Sequence, residues 1–247
     1  MKSVLTLITL LASAAALSAT DIELLDAGND PDNQESLQRG ARNFMNYCSG
    51  CHSAKYVRYN TVARGLGINE DQVIRNLMFN AEKMHETIER AMPDGPSARW
   101  FGTSPPDLSL IARSKSPDYI YSFLKGFYIE DGSPTGVNNL YLAGTSMPHV
   151  LWELDGFKRA VFIEGEENSE GVRPQIFQEF QEEIPGTMSA EEYDAFVRDT
   201  VNFLEYIAEP VRSTRRILGV WVLIYLGFFL IIAIMLKKQI WKDVPKN

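Results

Sequence analysis

The sequence predicts a mainly α-helical domain, interrupted by inserted loops and followed by one C-terminal transmembrane helix. Three observations carry this expectation: apolar residues at helical spacing in two strong segments, turn-rich stretches between them, and twenty uncharged residues from Ile217 to Leu236. A chain of 247 residues, 45% hydrophobic and 23% charged, suits a single globular core rather than a disordered chain.

At the N-terminus, Lys2 precedes an apolar run from Val4 to Leu11 that passes into small residues as far as Ala19. This is the pattern of a secretory signal peptide, with cleavage expected near Ala16 or Ala19 and residues 1–19 removed. The run is too short for the roughly 20 residues that cross a hydrocarbon core. Residues 20–211 then read as one exported domain, expected in the periplasm.

Its first helix is expected from Asn33 to Cys48, where Leu37, Ala41, Phe44, Met45 and Cys48 share a face and Asp32 and Glu35 stand as cap and reciprocal partner. Further helices are expected from Asp71 to Ala91 and from Pro117 to Phe127, the second opened by a proline suited to the first turn. Tyr128 to Leu151 holds Gly132, Pro134, Gly136, Gly144 and Pro148 with little periodicity, so it is either an ordered loop with a function or a disordered one. Glu164 to Gly171 is crowded with acids and expected on the surface. Ser189 and Glu192 form a capping box ahead of a stripe of Tyr193, Phe196, Val197, Val201, Leu204, Ile207 and Ala208, and Pro210 ends that helix.

Residues 212–236 form the expected anchor, with Trp221, Tyr225 and Trp241 near the membrane interfaces. Lys237, Lys238, Lys242 and Lys246 place the tail, 237–247, on the cytoplasmic side, although Arg212, Arg215 and Arg216 precede the span and weaken that argument. The export signal gives the orientation more firmly. Setting aside eight basic residues in the leader and around the anchor, and Asp243, leaves 16 basic against 31 acidic residues in the exported part, a net charge of −15. Such a field excludes nucleic acid as a partner and steers a basic soluble protein, or simply keeps the surface solvated.

The only two cysteines stand in Cys48-Ser49-Gly50-Cys51-His52. In an exported chain a lone pair is ordinarily a disulfide, but this spacing is that of c-type haem attachment. Two thiols one turn apart add across the two porphyrin vinyl groups, and the following imidazole then lies beneath the iron as its proximal ligand. The expected cofactor is one covalently bound haem c.

For the sixth ligand, Met147 is the first choice because it lies in the rigid turn Gly144-Thr145-Ser146-Met147-Pro148, whereas Met45, Met78, Met84, Met92 and Met188 fall in or beside helical stretches. His149 and His85 remain alternatives, as does an open iron position. A thioether ligand raises the reduction potential relative to a second imidazole.

Trp100-Phe101-Gly102, Pro105-Pro106-Asp107-Leu108-Ser109-Leu110, Asp118-Tyr119-Ile120-Tyr121, Pro134-Thr135-Gly136, Met147-Pro148 and Asn202-Phe203-Leu204-Glu205-Tyr206-Ile207-Ala208-Glu209-Pro210 follow one another ahead of the anchor. In this order they resemble the cytochrome c1 family, the haem subunit of the cytochrome bc1 complex, and its bacterial branch most. The resemblance implies a c-type cytochrome core with inserted loops, with Cys48, Cys51 and His52 holding the haem and Met147 as the sixth ligand. It also implies that Pro106 lines the haem and that Arg113 and Lys115 meet the propionates. Lys115 departs from the usual arginine and would give one contact where a guanidinium gives two.

The implied work is electron transfer from the Rieske iron-sulfur protein to a soluble cytochrome c, beside cytochrome b and membrane lipid, in a dimeric complex of the bacterial inner membrane that oxidises ubiquinol. No residue reads as a catalytic acid or base, so the subunit is a carrier within an enzyme. Two other readings compete. One is a haem peroxidase or gas-binding protein with an open iron site; the other is an anchored carrier serving a terminal oxidase or nitric-oxide reductase.

Overall fold

The computed structural model describes residues 22–167, 171 and 173–242. The leader expected at 1–19, part of the acidic loop and the end of the tail lie outside them. In chain order the elements are Gln34–Tyr47 (α1), Ala54–Arg58 (β1), Tyr59–Leu66 (α2), Glu70–Asn76 (α3), Thr87–Ile88 (β2), Asp94–Phe101 (α4), Ile111–Ser114 (α5) and Pro117–Lys125 (α6). There follow Phe127–Ile129 (β3), Val137–Asn139 (β4), Trp152–Asp155 (α7), Gly156–Glu164 (β5), Gln175–Pro185 (β6), Ala190–Ala208 (α8) and Arg212–Ile240 (α9). The strands pair only as antiparallel twos, β1 with β2, β3 with β4 and β5 with β6. The chain is mainly helical, as expected, and divides into two compact units.

One unit comprises Ala27–Ile120 and the chain from Asp194 onward. Its core is the packing of α1 on α8: Leu37, Ala41, Phe44 and Met45 from the first, and Val197, Val201, Phe203, Leu204 and Ile207 from the second, are buried. The rings of Phe44 and Phe203 lie 5.6 Å apart. The close approach depends on Gly40, because a Cβ there would run into the Asp199 carbonyl and lie 2.8 Å from Phe203 Cβ.

A polar seam borders this contact. Asp199 accepts from Ser36 Oγ at 2.5 Å and from Arg39 Nε at 2.5 Å, and Asn43 Nδ2 donates to the Phe196 carbonyl at 3.2 Å. Partners at this depth offset the desolvation of each group. Gly40→Ala is expected to cost about 1 to 3 kcal/mol through overpacking of two backbones. In a melting experiment that is a fall of roughly 3 to 10 °C. An unchanged melting temperature would show that the helices separate without penalty.

The capping box of α8 is present, Ser189 N donating to Glu192 Oε2 at 2.8 Å and Glu192 N to Ser189 Oγ at 3.3 Å. At α1 the cap is Asn33, not Asp32: its side chain accepts from Ser36 N at 3.1 Å, while Asp32 instead accepts from the Ser213 hydroxyl. The helix expected over Asp71 to Ala91 stops at Asn76. Beyond it the backbone bonds elsewhere, the carbonyls of Met84 and Glu86 accepting from Asn60 N at 2.8 Å and Tyr59 N at 3.2 Å.

The second unit holds Tyr121–Tyr193 and the segment leading to Asp26. The helix from Pro117 ends at Lys125 rather than Phe127, because Gly126 packs against the Tyr141 ring and Phe127 opens β3. The turn-rich stretch is ordered. Asn138 in β4 accepts from Gly144 N at 2.8 Å and donates to Glu130 Oε2 at 2.9 Å, and Gly144 adopts φ 72°. The β5–β6 hairpin went unforeseen in the sequence; its described turn residues Glu164, Glu166 and Glu167 are exposed, as expected for the acidic loop.

α9 runs for 29 residues, four beyond the expected anchor at its C-terminal end, and no residue in it is buried. Among the described residues it is one helix long and apolar enough to cross a membrane. Its 29 residues reach ~43 Å at ~1.5 Å per residue.

Candidate functional site

α1 delivers the cysteine pair at its end. Cys48 closes the helix, its N–H bonded to the Phe44 carbonyl at 2.9 Å, and the chain then turns tightly: Cys51 N and His52 N both donate to the Cys48 carbonyl, at 3.0 and 2.8 Å. The turn holds both thiols and the imidazole on one short stretch. Both cysteines are free and half-buried, and burial pushes the Cys48 thiol up to about 12 and the Cys51 thiol up as well, against the opposing charge of Arg90. They are protonated at neutral pH.

His52 Nδ1 donates to the Pro106 carbonyl at 2.8 Å. A carbonyl only accepts, so the proton sits on Nδ1 and the lone pair on Nε2. Burial is the chief cause that holds the imidazole below its ordinary pKa, and the positive charge of Arg90 adds to it. The neutral ring is the form a metal requires. The site thus offers two thiols at attachment spacing and one oriented nitrogen donor, which fits haem. Among the described residues no group of three or more His, Cys, Asp and Glu gathers to hold a bare ion.

The residues that fix Pro106 were not singled out in the sequence. Arg90 Nη1 donates to the Pro105 carbonyl at 2.5 Å and its Nη2 to Ser104 Oγ at 2.8 Å, while the same guanidinium pairs with Asp94. Asp107 accepts from Lys55 N at 2.8 Å and from Ser109 N at 2.9 Å, and Leu108 N donates to the Ser53 carbonyl at 2.8 Å. Arg90 and Asp107 hold the Pro-Pro-Asp-Leu segment against the motif. Only the presence of an arginine ahead of the segment could have hinted at this.

Met147 lies in the other unit, half-buried, with its N–H toward Thr145 Oγ1 at 3.4 Å. Among the competing candidates, Met78, Met84, Met92 and Met188 are half-buried as Met147 is. Met45 is 2% exposed in the α1–α8 core, and His85 is exposed in a turn. His149 is buried, stacked on Phe127 at 4.9 Å, with Nε2 3.3 Å from Asp155 Oδ2 but out of hydrogen-bond geometry there. Lys158 Nζ holds the same carboxylate at 2.9 Å. Arg113 and Lys115 line a pocket whose lining includes neither cysteine nor Pro106. Lys115 Nζ lies 5.6 Å from the Tyr119 ring centre.

Comparison with known proteins identifies the family. The Cytochrome C1 family profile matches residues 30–244. A protein named cytochrome c1 from Allochromatium vinosum is 45% identical over 98% of this chain and 99% of its own length. One named ammonia monooxygenase gamma subunit, from Nitrosomonas europaea, is 37% identical over 99% of this chain and 98% of its own. The mitochondrial cytochrome c1 haem protein of Saccharomyces cerevisiae is 28% identical over 85% of this chain and 67% of its own length. A family profile spanning nearly the whole chain, together with a bacterial cytochrome c1 matching it end to end, means that this chain belongs to the cytochrome c1 family.

Proposed function

We propose that this chain is the anchored electron carrier of a cytochrome bc1 complex, with one haem c attached through Cys48 and Cys51 and ligated by His52 and Met147. The observation that carries the proposal is the single turn after α1, with both thiols beside an imidazole whose Nδ1 is committed to Pro106 at 2.8 Å. When bound, haem supplies a one-electron iron couple. The chain's own part is to keep the geometry nearly constant between oxidation states: Pro106 fixes the tautomer and plane of His52, and Arg90 and Asp107 fix Pro106. Met147 supplies the thioether that raises the potential. Arg113 and Lys115 face the propionate charge, the lysine through a single contact.

The electron comes from the Rieske iron-sulfur protein and leaves to a soluble cytochrome c, whose basic face the net charge of −15 would steer. Cytochrome b is the membrane neighbour, the complex is a dimer, the haem domain is periplasmic and the C-terminus cytoplasmic. Solubilising the membrane in mild detergent and isolating this chain through a tag is expected to recover cytochrome b and the Rieske protein with it. Recovery alone, with a terminal oxidase, or with ammonia monooxygenase subunits as one relative's name has it, would overturn the assignment.

A further inference from the structure

Where α8 gives way to α9, the first unit carries a pocket of about 550 Å³, and the electron-transfer role leaves the cations of its α9 wall unused. One wall is Arg113, at the end of α5, with Lys115 just after it; the other is Arg212, Arg215 and Arg216 in the first two turns of α9. Glu205 and Glu209 complete the lining, pairing with Arg212 and with Arg215 Nη2, the latter at 2.7 Å. With Arg113 and Lys115 given to the propionates, the three arginines of α9 against two carboxylates still leave a local excess of one. Among the described residues Arg113 and Arg216 make no ion pair.

The depth of this pocket is set by sequence. Arg216 is followed at once by Ile217 and the uncharged run, so the arginines stand at the level where hydrocarbon meets water. An anion that stays at this level in high local concentration is the phosphate of a lipid. Surface cations near a membrane each contribute about 1 kcal/mol to attraction of anionic lipid, or roughly fivefold in affinity.

We propose that the pocket binds the phosphodiester of an anionic phospholipid, with Arg215 and Arg216 as the principal contacts. This rests on α9 as a membrane span and not on the haem assignment. The α5 wall can serve the propionates without altering it.

The test uses the full-length haem-loaded protein in phosphatidylcholine nanodiscs carrying a trace of chain-labelled spin probe, either phosphatidylglycerol or phosphatidylcholine. Lys237, Lys238, Lys242 and Lys246 are replaced by glutamine throughout, so that the far end of the helix holds no lysine to attract an anion. The motionally restricted fraction is expected to favour the phosphatidylglycerol probe severalfold, and Arg215→Ala/Arg216→Ala is expected to bring the two probes to parity. Haem staining and the reduced spectrum of that variant should be unchanged, which separates this result from any failure of the haem reading. Inorganic phosphate at millimolar concentration and fixed ionic strength should not displace the lipid.

Equal restriction of both probes, or a preference that survives the double substitution, would overturn the proposal. Displacement by phosphate would make the pocket a site for free anion, which also overturns it.

Discussion

Cys48→Ala/Cys51→Ala is expected to abolish haem staining after denaturing electrophoresis completely, while each single substitution leaves a reduced, still visible band. Each cysteine supplies one thioether, so one remaining sulfur tethers the porphyrin and none leaves it extractable. The single variants are expected to lose part of the haem for a geometric reason. His52 N is bonded to the Cys48 carbonyl, so the imidazole keeps its place without either sulfur, but the ring it would ligate is no longer fixed against rotation. A double variant that still stained would end the attachment hypothesis.

Met147→Leu is expected to preserve the fold and the covalent haem while removing the weak absorption near the red end of the visible spectrum that marks an iron-sulfur bond. The reduction potential should fall by on the order of 0.1 to 0.3 V, a fraction of the roughly 0.8 V that axial ligation commands. Leucine matches methionine in volume, so stability should change little. Electron flow from the Rieske protein should then stall, its acceptor no longer oxidising enough. Met147→His would restore six-coordination through nitrogen and leave the potential low. Retention of both the sulfur band and the native potential in the leucine variant would move the ligand to another methionine.

The parts of this protein legible in its sequence are those decided within a few residues. The attachment motif and the Ser189/Glu192 capping box are local patterns, and the uncharged run needs no partner to be recognised as a span. The anchoring of His52 was not legible, because Pro106 lies 54 residues away and Arg90 reaches Pro105 across 15. Nothing in either stretch announces the pairing. Asn33 displaced Asp32 as the cap because backbone angles, not residue preference, decide which of two neighbouring side chains reaches the first turn.

The β5–β6 hairpin was missed for a different reason. Alternation marks a strand when one face is buried, and here Phe162, Ile163, Ile176 and Ile184 are 38 to 52% exposed. Two irregularities, at Phe157/Lys158 and Val161/Phe162, further shift the register and blur the period. The helix expected over Asp71 to Ala91 failed because its second half bonds to the start of α2, a competition that a one-dimensional pattern does not display.

Between the last residue of α8 and the first of α9 stand only Glu209, Pro210 and Val211. Fully extended, three residues reach about 10 Å, and the ion pairs of Arg212 with Glu205 and Arg215 with Glu209 clamp the joint from both sides. The haem-bearing core is therefore mounted on its post rather than leashed to it, and it has no slack with which to travel. Distance along the respiratory chain has to be covered by whatever arrives at this mount and departs from it, so traffic through it should be limited by the coming and going of its partners and be insensitive to stiffening of the joint itself.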